Sequence, residues 1–132
     1  MTYEQILSDI KKRVFYPIYF LMGEEPFFID TISGELENSI LEEAERSFNQ
    51  IVMYGSDVNA KEIMSQARAF PMMGDYLVVI VKEAQNVKDI ESLADYLDKL
   101  PSTTILIINY KYKKLDKRRA LAKYVDKKGA LF

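Results

Sequence analysis

The chain has 132 residues and a formal charge of −2, from 18 Lys+Arg against 20 Asp+Glu. That length predicts one domain with one substantial core, and 48% hydrophobic with 29% charged residues is a globular composition, neither disordered nor membrane-spanning. Cysteine and histidine are both absent, which excludes disulfide scaffolds, thiolate or imidazole metal sites, cysteine nucleophiles and every His-based triad.

The first segment, MTYEQILSDIKKR, is too polar for a signal peptide, and no apolar run approaches the ~20 residues that span a bilayer, so the expectation is a cytoplasmic protein with no membrane contact. Tyr3, Ile6, Leu7, Ile10 and Val14 repeat as on one face of an amphipathic helix. Pro17 breaks that pattern. Ile18–Met22 (IYFLM) is a short continuous apolar run, as in a strand buried on both faces, and Gly23 ends it. Pro26 suits the first position of a helix, and the preceding Glu24 and Glu25 suit its positive end. Ile29, Ile32, Leu36 and Ile40 then predict a helix to about Arg46, with Phe27 and Phe28 tucked into the core.

Gln50–Gly55 reads as a second strand. Asn59 with Glu62 three residues on is a capping box, and Ile63, Ala67 and Phe70 predict the buried side of the helix it starts. After Pro71 and a short loop, Tyr76–Lys82 (YLVVIVK) is the most strand-like segment of the chain. Ile90, Leu93 and Leu97 predict a further helix that stops at Pro101. Thr103–Tyr110 reads as a strand, the basic stretch beyond it as a helix carrying Leu115, Ala122 and Val125 inward, and residues 130–132 as the start of a last strand. The α-β alternation predicts a three-layer α/β/α domain with a mainly parallel five-stranded sheet and right-handed crossovers. With no repeat and no linker, residues 1–132 form a single domain in this reading, cut from a longer multi-domain protein.

Ligands of open α/β sheets sit at the carboxyl ends of the strands. After the first strand, a phosphate loop G-x-x-x-x-G-K-[ST] counted from Gly23 would need glycine at Phe28, lysine at Ile29 and a hydroxyl at Asp30. All three are wrong, and Glu24, Glu25 and Asp30 oppose phosphate. After the third strand an ATPase needs an Asp for Mg²⁺, whereas this chain has Lys82–Glu83, read as a surface pair. A phosphoacceptor receiver domain lacks its Asp at the same place. No cofactor and no catalytic residue are therefore expected.

Two stretches remain. Ala69–Gly74 (AFPMMG) sets Phe70, Met72 and Met73 around Pro71 in a helix-to-strand connection; methionine is adaptable and suits protein-binding surfaces, although the same side chains fold into a core equally well. Residues 111–128 hold nine Lys/Arg against two Asp/Glu, a net of +7, which leaves −9 for residues 1–110. There Lys111, Lys113, Lys114, Lys117, Arg118 and Arg119 lie among Tyr110, Tyr112 and Tyr124, residue types that neutralise phosphates and stack on bases. The alternative is a solvated helix face.

With these residues in view, PIYFLMGEEPFFID, RAFPMMGDYLVVIVKEAQNV, LADYLDKLPSTTILIIN and KKLDKRRALAKYV, in that order, resemble the N-terminal domain of the delta subunit of the bacterial DNA polymerase III clamp loader. The resemblance covers about Tyr16 to Phe132. It implies a RecA/AAA+-like domain with a degenerate phosphate loop that does not bind ATP. It further implies a non-catalytic component of the polymerase complex that binds the sliding clamp and helps open it for loading onto DNA. The clamp-binding element then falls on Phe70, Pro71, Met72 and Met73. Other clamp-loader subunits are partners through the full-length protein, and DNA contact is weak or indirect. The competing readings are a divergent P-loop NTPase and an autonomous nucleic-acid-binding module using residues 111–128.

Overall fold

A computed structural model describes residues Met1–Phe132. The five strands are β1 (Ile18–Gly23), β2 (Gln50–Tyr54), β3 (Leu77–Lys82), β4 (Thr104–Lys111) and β5 (Ala130–Leu131). They form one sheet in the order β2-β3-β4-β1-β5, with every pairing parallel. β1, β3 and β4 are buried nearly end to end, as their unbroken apolar runs require. Alternate residues feed two cores. Tyr19, Leu21, Val78, Ile80, Ile105 and Ile107 meet α1 (Tyr3–Lys11) and α2 (Pro26–Ser39) on one face. Phe20, Met22, Val79, Val81, Leu106 and Ile108 meet α4 (Ala60–Ala67), α5 (Ala120–Lys128) and a run of 3₁₀ turns on the other. The result is the expected three-layer α/β/α domain around a five-stranded parallel sheet.

The helix expected to run to Arg46 is two helices, α2 and α3 (Glu43–Asn49). The break is held by guanidinium groups on the free carbonyls at the end of α2. Arg13 donates to Ser39 O at 2.7 Å and Ile40 O at 3.1 Å, and Arg46 donates to Asn38 O at 2.7 Å. Positive charge at a helix C-terminus is favourable, and these carbonyls have no partner within the helix. Phe27 and Phe28 do not enter the core: they are 61% and 38% exposed, because the buried stripe of α2 is Ile29, Ile32, Ser33 and Leu36. Phe28 instead packs edge-on against Tyr3.

Three further expectations fail. α1 ends at Lys11 and leaves Val14 exposed. Ile90, Leu93 and Leu97 face inward from 3₁₀ turns rather than from an α-helix. The basic stretch is helical only from Ala120; before it, Leu115 anchors a loop, its N–H 3.2 Å from Met22 Sδ. The capping box is as expected: Asn59 Oδ1 accepts from Glu62 N at 2.9 Å, and Glu62 Oε1 accepts from Asn59 N at 3.1 Å.

Candidate functional site

At the carboxyl end of the sheet, the residues standing in phosphate-loop positions have structural work instead. Gly23 closes β1 with φ +140°, a conformation other residues rarely adopt. Pro26 contributes no N–H, and the Glu25 carboxylate accepts from Phe27 N at 3.1 Å, so α2 caps itself with an anion where a phosphate would lie. Ile29 is fully buried. Asp30 takes the Lys111 ammonium at 2.9 Å, and Glu83 stands 4.0 Å from the same ammonium. Hydrogen bonding to Asp30 is the main cause that pushes Lys111 above its ordinary pKa. Lys82 and Glu83 do not pair with each other as expected: Lys82 faces Glu37 at 3.8 Å. Among these groups lies a cavity of about 400 Å³, lined by Asp30, Ser33, Glu37, Lys82, Glu83 and Asn109 among others. With Lys111 on its wall, the cavity has three carboxylates against two ammonium groups.

The basic segment is less of a unit than its composition suggests. Lys111 belongs to the cavity just described. Arg118 grips Asp116 through two contacts of 3.0 and 2.9 Å, which lowers the Asp116 pKa, and Arg119 stands 4.0 Å from Glu91. Lys113 lies 3.5 Å from the Gln85 carbonyl oxygen. Lys114 and Lys117 line a hollow shared with Glu24, Glu25 and Phe28. Four of the six candidate cations therefore have separate local partners, and Lys114 and Lys117 line the hollow without one.

The amino end of the sheet carries the other candidate. α4 stops at Ala67, so Phe70 does not continue its buried side. Phe70, Met72 and Met73 are 72%, 65% and 86% exposed, with Pro71 half-buried among them. These are the largest apolar exposures on the amino end of the sheet, which makes the loop a candidate for contact with a partner. The backbone beneath them is fixed. Asn49, fully buried at the end of α3, accepts from Met72 N at 2.7 Å and donates to Met72 O at 3.0 Å and Met73 O at 3.4 Å. Thr104 Oγ donates to Ala67 O at 2.7 Å and ties down the start of the loop. Met73 sits in the left-handed region at φ +54°, which costs a residue with a Cβ roughly 1–2 kcal/mol. Gly74 follows at φ +145°, where a Cβ would also meet the Glu45 carboxylate. Pattern reading finds the displayed residues but misses Asn49, Thr104 and Glu45, because their partners in the loop lie 23 or more residues away.

These features together define a parallel α/β domain with a self-capped helix start at the carboxyl end of its sheet and a braced, exposed apolar loop at the amino end. The model of the family "DNA polymerase III, delta subunit" matches residues 19–132, and the chain belongs to that family. DNA polymerase III subunit delta of Bacillus subtilis (strain 168) is 24% identical over 132 residues, covering 92% of this chain and 38% of the relative. The solved structure of the Bacillus subtilis DNA clamp loader delta protein (YqeN) superposes with a TM-score of 0.82 at 20% identity, over 99% of this chain and 42% of that one. The chain thus spans about two fifths of the length of the proteins it matches. No helix is long and apolar enough to cross a membrane.

Proposed function

We propose that this domain is the clamp-gripping part of a clamp-loader delta subunit in DNA replication. In this reading Phe70–Met73 inserts into an apolar pocket of the sliding clamp, and the domain binds no ATP and catalyses no reaction. One observation carries the reading: the most exposed apolar side chains of the chain ride on a backbone clasped by a fully buried asparagine. Pre-ordering of this kind removes much of the entropy cost of docking a loop. The same grip opens the ring only if it binds the open form better than the closed one. At the carboxyl end, the Glu25 cap and the buried Ile29 support the absence of nucleotide binding. Contacts with other loader subunits belong to the full-length protein, and DNA contact through Lys113, Lys114 and Lys117 is weak.

Complete burial of a methionine side chain contributes about 1.5–3 kcal/mol. The double substitution Met72→Ser, Met73→Ser is therefore expected to weaken binding to the cognate sliding clamp by more than about tenfold, since about 1.4 kcal/mol is one decade. A titration of the clamp with both proteins measures this, with circular dichroism to show the variant folded. Equal affinities overturn the reading.

A further inference from the structure

Of the six methionines, Met22 and Met64 are buried at 6% and 1% exposure, whereas the two most exposed, Met72 and Met73, are neighbours at the tip of the amino-end loop. An exposed thioether meets a dissolved oxidant more readily than a buried one. The Asn49 clasp and the left-handed Met73 backbone fix the backbone at the tip, and both side chains stand at the surface. We propose that Met72 and Met73 are a methionine-oxidation site that switches off the loop's grip on its protein partner. The switch rests on the clamp-binding reading above; the oxidation site does not. The oxidant is a peroxide. A sulfur lone pair attacks one oxygen of hydrogen peroxide, the O–O bond breaks and an S–O bond forms; the departing hydroxide takes the proton from the oxygen now on sulfur, leaving the sulfoxide and one water. Sulfur is oxidised by two electrons and the peroxide reduced by two. The product carries a strong S–O dipole on a side chain whose role is apolar burial, and an unpaired polar group buried in an apolar pocket is unfavourable. Sulfoxide reductases reverse the change, one for each epimer.

The test treats the protein with graded hydrogen peroxide, removes the oxidant, and reads each methionine by peptide mass spectrometry before any clamp is added. Met73 and Met72 are expected to oxidise several-fold faster than Met22 and Met64; equal rates overturn the site, and with it the switch, while leaving clamp binding untouched. The oxidised protein is then titrated with unoxidised clamp. Binding at least about tenfold weaker, restored by methionine sulfoxide reductases A and B, supports the switch. Unchanged binding, or a loss that the reductases do not reverse, overturns it. The variant Met72→Leu, Met73→Leu is compared only with itself: its affinity before and after peroxide should stand in a ratio near one, and a loss matching the wild type's places the effect on another residue. Failure of the untreated wild type to bind clamp overturns the functional reading and the switch together, whatever the oxidation pattern.

Discussion

At the carboxyl end of the sheet Asp30, Glu37, Lys82, Glu83 and Lys111 find ionic partners within the chain, and the apolar side chain at the phosphate-loop lysine position is inside. At the amino end the arrangement is reversed: the apolar side chains of Phe70, Met72 and Met73 are outside, and the polar group that matters most, Asn49, is buried beneath them. The same parallel strands build both ends. The difference lies in where each end satisfies its hydrogen bonds. The carboxyl end uses its own side chains: Glu25 takes the Phe27 N–H at the start of α2, and Asp30 and Glu83 take the Lys111 ammonium. The amino end satisfies the loop backbone from below, which leaves the apolar side chains of the loop at the surface.

The largest effect should come from forcing the carboxyl end toward nucleotide chemistry. Ile29→Lys supplies the lysine that a phosphate loop requires, but it places an ammonium at a fully buried position of α2 packed against β1 and β4. An unpaired buried charge is among the few changes that destabilise severely, and a loss of at least about 3 kcal/mol is expected with no gain of ATP binding. Urea unfolding and calorimetry with ATP and Mg²⁺ measure the two parts. A stable variant that binds ATP would show that this end is closed only by its sequence and not by its packing.

A smaller effect sharpens the other side of the contrast. Asn49→Ala removes three hydrogen bonds to the loop backbone while leaving Phe70, Met72 and Met73 unchanged. The expected cost is about 1–3 kcal/mol of stability, with faster amide exchange at Met72 and weaker clamp binding despite an intact contact surface. Clamp affinity that survives a demonstrably loosened loop would separate the tip's chemistry from its pre-ordering.

Much of this contrast was legible in the sequence, and the rest was hidden for definable reasons. β1 and β3 announce themselves because a strand buried on both faces needs an unbroken apolar run, and Ile18–Met22 and Leu77–Val81 supply one each. The failed phosphate loop is visible because its chemistry is local, three residues at fixed spacing from Gly23. Ile90, Leu93 and Leu97 misled because the spacing of three from Ile90 to Leu93 suits a 3₁₀ turn as well as an α-helix, and Leu97 faces inward from a second, separate turn after a break at Tyr96. Phe27 lies two residues before Ile29 and so on the far side of α2 from its buried stripe, a fact that hydrophobicity alone conceals. Asn49 was invisible for a different reason. A lone asparagine before an apolar strand has no local signature, and its role exists only once the fold brings residues 72 and 73 to it.

The smallest effect tests how far the carboxyl end depends on its ion pairs. Lys111→Ala leaves Asp30 and Glu83 without their shared ammonium. Asp30 is more than half exposed, so solvent screening limits the loss to about 0.5–1 kcal/mol at neutral pH. The pH dependence is the sharper signature. The bond to Asp30 raises the folded Lys111 pKa above the ordinary 10.5, so the charged lysine's contribution is fully present below 10.5 and fades as pH rises through the higher folded value. The stability difference between wild type and variant should therefore stay level from neutral pH to about pH 10 and shrink above it. Chemical denaturation of both proteins across that range measures the difference directly, and the other titrating groups, common to both, cancel. A gap that persists undiminished above the lysine range would mean that Lys111 holds α2 to β4 through the packing of its aliphatic stem and not through its charge.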